Sequence, residues 1–170
     1  AQWGIGDEIK PVEVHAVSAN IPDNGLVDDA VAWQADIIYE NGVQMSYSSQ
    51  GNPHPDGIRF IGTDGWVHVN GGGVLTASST DILKSVIRPD EIHLYPSVGP
   101  HRNFLDCIKT RKPAAACPEI GHHATTTCNL VDISARLGRK VRWDPKAEHF
   151  VNDKSADRYL SRVNRAPWQV

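Results

Sequence analysis

The chain has 170 residues, enough for one domain with a hydrophobic core but too few for two domains of ordinary size. Apolar residues make up 40% and charged residues 22%, a composition typical of folded globular proteins rather than disordered ones. The net charge is −3 and Lys and Arg form no basic cluster, so we expect no nucleic-acid partner. No apolar run reaches the ~18–20 residues of a membrane span and no signal peptide opens the chain, so we expect no membrane partner.

The first two thirds of the chain are predicted to form β-strands. Residues 11–19 alternate between two faces, as a strand does. Residues 31–49 show the clearest pattern, with apolar side chains at every second position on both sides of Asn41 and Gly42. Because an Asn-Gly pair readily adopts the two positive φ angles of a type I′ turn, these residues predict a tight β-hairpin.

Shorter elements follow this hairpin. They are a second hairpin with strands at residues 58–61 and 66–70, a short strand at 74–77, a short helix at 81–86 and a last long strand at 91–95. After Pro100 the apolar period changes to that of α-helices, which predicts helices at residues 101–112 and 120–137.

The two predicted helices each have an apolar face. The first carries Phe104, Leu105 and Ile108 on its face. The expected inner stripe of the second consists of Ala124, Thr127, Cys128, Val131 and Ala135. Gly138 stands where a C′ glycine ends a helix.

The C-terminal part completes the predicted fold. Residues 141–143 predict an edge strand, and Asp153 caps a final short helix that ends near residue 160. Strands followed by helices are typical of α+β proteins. We therefore expect one α+β domain over residues 1–170, with an open, mostly antiparallel β-sheet and helices packed on one face.

No complete catalytic or metal-binding set is visible in the residues. The three cysteines, Cys107, Cys117 and Cys128, form no CxxC pair, so we expect reduced, buried thiols rather than disulfides or zinc ligands. His122 and His123 are adjacent, which on a helix points their rings about 100° apart, so they cannot face one metal ion together. We expect no metal site. The residues taken alone describe a sheet-and-helix domain without catalytic machinery.

Several segments together resemble one known family. They are residues 1–6 (AQWGIG), 57–67 (GIRFIGTDGWV), 101–108 (HRNFLDCI), 119–123 (EIGHH), 135–140 (ARLGRK), 143–145 (WDP) and 152–153 (ND). In this order they resemble the C-terminal half of the Gfo/Idh/MocA oxidoreductases, which are NAD(P)-dependent sugar and polyol dehydrogenases. The resemblance runs from Ala1 to Trp168, nearly the whole chain.

The resemblance implies a substrate-side and dimerisation domain that normally follows a Rossmann domain. The family's glycine-rich cofactor loop and its catalytic Lys, His and Asp would precede Ala1, so the resemblance implies no catalytic and no cofactor-binding residue in this chain. NAD or NADP is expected for a full-length relative. Trp3, His122 and His123 are the substrate-binding candidates that it implies, for a sugar or polyol ligand. It also implies a homodimer through the open face of the sheet.

Two alternatives stay open. The chain could be a standalone, non-enzymatic module that binds a carbohydrate or dimerises; exposed apolar strand residues such as Val31, Trp33, Ile37 and Tyr39 would then need a partner. Within the family, it could instead be a fragment of an NAD-dependent glycosidase. The cysteine pattern favours a reducing compartment and hence a cytoplasmic location, although an export signal could lie in the N-terminal part that the resemblance implies is missing.

Overall fold

The computed structural model describes residues 1–24, 26, 28–49, 55–162 and 164–167. The helices are α1 (Gln2–Ile5), α2 (Thr80–Lys84), α3 (Pro100–Thr110), α4 (Pro118–Leu137) and α5 (Lys154–Asp157). The strands are β1 (Pro11–Asn20), β2 (Ala32–Tyr39), β3 (Gln44–Ser48), β4 (Ile58–Ile61), β5 (Trp66–Val69), β6 (Leu75–Ala77), β7 (Val141–Asp144) and β8 (His149–Phe150). No helix among these is long and apolar enough to cross a membrane.

The chain divides into two compact units. The larger unit comprises the described residues within Glu8–Asn52 and Ala124–Val170, and the smaller unit those within Ala1–Asp7 and Pro53–His123. Each unit contains one open antiparallel sheet, of five strands in the larger and three in the smaller. The expected α+β class and the open antiparallel sheet are therefore confirmed.

The larger unit is a sheet in the order β3-β2-β1-β7-β8 with one face covered by α4. Side chains alternate along β2, where Ala35, Ile37 and Tyr39 are buried and Asp36 is exposed. The helix contributes its own buried residues, Thr127, Leu130, Val131, Ile133 and Ser134. Among the described residues, every buried side chain belongs to this unit. It therefore contains the hydrophobic core.

The predicted inner stripe of α4 is only partly correct. Thr127 and Val131 are buried, but Cys128 and Ala124 are exposed, and Leu130, Ile133 and Ser134 were missed. For Ser134 the omission has a physical cause: the core accepts its hydroxyl because that group is hydrogen-bonded, so polarity alone does not mark a buried position. The expectation that the three thiols are buried is also wrong: Cys107 and Cys117 are partly exposed and Cys128 is exposed.

The end of α4 is as the sequence predicts. Gly138 has φ 63°, the left-handed conformation that glycine adopts without strain. Its N–H donates to the carbonyl of Ala135 at 3.2 Å, and the N–H of Arg139 donates to that of Ser134 at 3.3 Å. This double pattern is a Schellman motif, and it supplies partners for carbonyls that the helix end leaves unpaired.

The β2–β3 hairpin is confirmed, but its turn differs from the prediction. Gly42 has a positive φ of 82°, whereas Asn41 does not. The N–H of Gly42 donates to the carbonyl of Tyr39 at 2.9 Å, and the N–H of Tyr39 donates to that of Val43 at 3.0 Å. The connection is therefore a three-residue loop with glycine at the left-handed position, not a two-residue type I′ turn.

Other elements depart from the sequence prediction at the sheet edges. β7 was expected at an edge, but it pairs with both β1 and β8. The short elements α1 and β8 were not predicted. Of the four residues that the standalone alternative takes to be exposed, Ile37 and Tyr39 are 1% and 2% exposed because α4 covers their face of the sheet, whereas Val31 is 59% exposed and Trp33 is half-buried.

The outer face of the larger sheet is polar. Glu13 lies opposite Arg142, and His15 lies opposite Asp36, in the strand register. Lys140 Nζ lies 2.7 Å from the carboxylate of Glu13. Charged and polar side chains that water solvates well are therefore frequent on this face.

The smaller unit contains the sheet β4-β5-β6 together with α1, α2 and α3. Residues 91–95, predicted as a long strand, form no strand. The amide of Asn103 on α3 donates to the hydroxyl of Tyr95 at 3.0 Å, so this segment is attached to a helix instead of a strand edge. Alternating apolar residues form a strand only where the edge strand of a sheet has free backbone groups that can pair with them.

The N-terminal cap of α5 makes stability depend on pH. Arg139 lies 2.6 Å from the Asp153 carboxylate, and both the Ser155 hydroxyl and the Ala156 N–H donate to it. The Arg139 guanidinium, helped by Ser155, holds the pKa of Asp153 well below its usual range. A lowered carboxyl pKa stabilises the fold fully above the unfolded value of about 3.9, and this contribution is lost as the pH falls below it.

We therefore expect Asp153→Asn to be less stable than the parent chain at pH 7, with the difference shrinking as the pH falls from about 4 towards 2. Asparagine also caps helices, so the substitution removes the charge and keeps the cap. Denaturant midpoints followed by circular dichroism measure the effect. Asp23→Asn, at an exposed carboxylate, is the control. A difference that is independent of pH contradicts the assignment.

Candidate functional site

The substrate-binding candidates all lie in the smaller unit. Trp3 is on α1, a single helical turn, and its side chain is 46% exposed. Gly4, the next residue, rests against the Phe60 ring on β4, so a Cβ at position 4 would overlap the tip of that ring. A larger residue at position 4 would require the Phe60 ring to move.

His122 and His123 lie in the N-terminal part of α4. Their ring centroids are 6.1 Å apart and their planes are inclined by 55°, so the rings diverge as expected for helical neighbours. Nδ1 of His123 lies 2.9 Å from the carbonyl oxygen of Asp7. That contact links α4 to the same N-terminal stretch that carries Trp3, and it orients the His123 ring. The structure thus brings His123 and the N-terminal stretch together.

A carboxylate that the sequence analysis missed accompanies the histidines. Glu119 is one helical turn before His123, at the i, i+4 spacing that places two side chains side by side. Its own backbone N–H, the Cys117 thiol and the charge of His123 together lower the pKa of Glu119. The carboxylate is therefore ionised at neutral pH, and the spacing was the signal that could have found it.

The side chains of Trp3, Glu119, His122 and His123 are groups that form hydrogen bonds. Within the described part of the chain, no group of three His, Cys, Asp or Glu residues is arranged to hold a metal ion. A carboxylate, two imidazoles and an exposed indole are the groups that bind hydroxyl-rich ligands, by hydrogen bonds and by stacking on the aromatic face.

A concave feature lies in the larger unit. It is a shallow depression of about 350 Å³ between β1, β2 and β7, lined by Val12, Glu13, Ile38, Arg142, Trp143, Asp144, Pro145 and Val151. The N–H groups of Ala147 and Lys146 donate to Asp144 and lower its pKa, so this carboxylate is ionised. The depression is shallow, its floor is apolar and its rim carries charges of both signs. Such a surface is better suited to contact another protein surface than to enclose a small molecule.

Comparison with known families defines the class of protein. Residues 5–170 match the sequence family described as the oxidoreductase family, C-terminal alpha/beta domain, which belongs to the Gfo/Idh/MocA group. Because the match covers nearly the entire chain, the protein belongs to this family, and the resemblance found in the sequence is confirmed.

One solved structure adds to this assignment. The chain is similar to the aldose-aldose oxidoreductase from Caulobacter crescentus complexed with glycerol, with 21% sequence identity and a TM-score of 0.54. The similarity covers 78% of this chain and 41% of that one, so the chain spans less than half of its relative. At this identity the likeness shows the fold alone. No curated protein is similar enough to this chain to count as a match.

Proposed function

We propose that this chain is the substrate-side and dimerisation domain of an NAD(P)-dependent sugar or polyol oxidoreductase and is not catalytic on its own. The family match over residues 5–170 is the observation that carries the proposal, because that family model describes a C-terminal domain of oxidoreductases. The relative of similar fold is an aldose-aldose oxidoreductase complexed with glycerol, which supports an aldose or polyol as the substrate class.

In this proposal the chemistry is divided between two domains. Hydride transfer requires the nicotinamide to lie beside the reacting carbon, and the protein supplies that orientation. A preceding nucleotide-binding domain holds NAD or NADP, and this chain supplies one wall of the substrate cleft. Cytoplasmic location belongs to the same proposal, supported by three cysteines with no disulfide among them.

We assign the substrate contacts to Trp3, His122 and His123. The exposed Trp3 ring provides a face on which the C–H groups of a sugar can stack. The imidazoles provide hydrogen bonds to hydroxyl groups, and the contact of His123 with the Asp7 carbonyl keeps its ring in one orientation. Glu119, ionised beside His123, adds an acceptor.

Dimerisation is assigned to the outer face of the five-stranded sheet. The cross-strand pairs Glu13–Arg142 and His15–Asp36, together with the shallow depression between β1, β2 and β7, support this assignment. Charges of both signs on one face permit a two-fold contact, in which each acidic side chain meets a basic one of the other copy.

Cofactor titration tests the proposed function. We expect the 170-residue chain to bind neither NAD nor NADP detectably by calorimetry. The polypeptide in which the nucleotide-binding domain precedes it is expected to bind one of them with a micromolar Kd and to reduce it in the presence of an aldose or polyol. Saturable micromolar binding to the 170-residue chain alone would refute the division of roles. A longer polypeptide that binds neither cofactor would refute the family function.

A further inference from the structure

The chain contains three Asn-Gly pairs, and the structure describes both residues of two of them. Asn41 and Gly42 connect β2 to β3, and Asn70 and Gly71 lie between β5 and β6. In such a pair the backbone nitrogen of the glycine can attack the side-chain amide of the asparagine, because glycine has no Cβ that blocks the approach. Both pairs can therefore undergo chemical modification, and their surroundings decide which of them reacts faster.

The side-chain amide of Asn70 is held by the backbone that follows it. Its Oδ1 accepts the N–H of Gly72 at 3.0 Å and the N–H of Val74 at 2.9 Å. Two backbone N–H groups at such distances stabilise the negative charge that develops on a carbonyl oxygen under attack, as they do in an oxyanion hole. They also polarise the Asn70 amide carbonyl, which makes its Cγ a better electrophile.

The nitrogen of Gly71 and a nearby carboxylate complete this arrangement. Among the described residues the Gly71 N–H has no hydrogen-bond partner, so its nitrogen is available to react. A Cβ on Gly71 would lie 3.0 Å from Oδ2 of Asp56, so this carboxylate lies beside residue 71. The Asp56 carbonyl oxygen lies 3.1 Å from His68 Nε2, a contact that keeps Asp56 next to β5. A carboxylate within reach of an N–H, directly or through one water, can accept its proton.

We propose that Asn70 is a site of spontaneous deamidation that is activated by its own loop. The Gly71 nitrogen forms a bond to Asn70 Cγ and loses its proton to the Asp56 carboxylate. The bond from Cγ to the side-chain nitrogen then breaks, and that nitrogen takes up the proton and leaves as ammonia. Water opens the resulting five-membered succinimide at either carbonyl, which yields aspartate or isoaspartate at position 70. No oxidation or reduction takes place.

Asn41 has the same following residue but a less reactive environment. The Gly42 N–H already donates to the carbonyl of Tyr39 at 2.9 Å, so its nitrogen is engaged in the hairpin. Oδ1 of Asn41 accepts the N–H of Val43 at 3.2 Å, a longer contact than either of those at Asn70. The two pairs therefore form a matched comparison within one molecule.

Peptide mass spectrometry tests the proposal on the unsubstituted 170-residue chain. The chain is incubated at neutral pH, folded or in urea, and fragmentation locates each replacement of a side-chain amide by a carboxyl group. We expect Asn70 to react at least about fivefold faster than Asn41 in the folded chain, because only Asn70 has two close N–H donors. In urea both sites depend on the following glycine alone, and we expect rates within about twofold of each other. An Asn70 rate equal to or below that of Asn41 in the folded chain overturns the proposal.

The role of Asp56 is tested by Asp56→Ala, with Asp64→Ala as the matched control at another exposed carboxylate of the same sheet. Alanine is chosen because asparagine at either position would precede a glycine and create a new Asn-Gly pair. We expect Asp56→Ala to slow the reaction at Asn70 at least about threefold and to leave Asn41 unchanged, while Asp64→Ala affects neither. An unchanged rate at Asn70 overturns the assignment of Asp56 as the proton acceptor. A variant that unfolds is recognised because its Asn41 rate equals the rate in urea, and the comparison within the unsubstituted chain then decides.

Discussion

Ser134→Ala is expected to lower the free energy of unfolding by about 2–3 kcal/mol. The Ser134 hydroxyl is fully buried, accepts the N–H of Ala16 on β1 at 2.9 Å and donates to the carbonyl of Arg139 at 2.7 Å. Alanine removes both bonds and leaves the buried Ala16 N–H without this partner. Since alanine is the better helix former, the helix propensity acts in the opposite direction, and a measured loss reports the lost bonds.

Urea denaturation followed by circular dichroism measures this change. Thr125→Ala is the matched control, because Thr125 is an exposed hydroxyl residue on the same helix. We expect it to change stability by no more than about 0.5 kcal/mol. If the two variants differ by less than that amount, Ser134 does not link α4 to the sheet as we describe.

Leu130→Ala is expected to destabilise the protein by about 3 kcal/mol, within the range of 2–5 kcal/mol that core truncations show. Leu130 is 1% exposed on the face of α4 that covers the sheet. Truncation removes buried methyl and methylene groups and leaves a cavity, which the close-packed surroundings fill only in part.

The control for this variant is Leu105→Ala on α3. Leu105 is 52% exposed, so the same truncation there removes little buried surface, and we expect a loss below about 1 kcal/mol. Denaturant midpoints at constant m-value measure both variants. Similar losses at positions 105 and 130 contradict the assignment of the core to the larger unit.

The elements predicted correctly depend on local signals. The β2–β3 hairpin follows from alternation over residues 31–49, and the end of α4 follows from Gly138, because both are determined by backbone preferences within a few residues. The turn type was wrong because both loops need a positive φ at Gly42, so the glycine alone does not tell a two-residue loop from a three-residue one.

The candidate site was found mainly through family motifs. Trp3, His122 and His123 came from the resemblance, whereas the contact between His123 and the Asp7 carbonyl joins residues 116 positions apart. No local pattern encodes such a contact. Glu119 is different, because its i, i+4 spacing to His123 is visible in the sequence.

The α+β class, the main hairpins, the long helix and the family could be predicted from the sequence, because periodicity, turn residues and short motifs are local properties. Which polar side chains enter the core and which strands lie at an edge depend on tertiary contacts that the sequence did not reveal. Ser134 is buried because β1 supplies its partner, and residues 91–95 are not a strand because no edge pairs with them. These outcomes depend on contacts between segments that are distant in the sequence, so they cannot be predicted from any single segment.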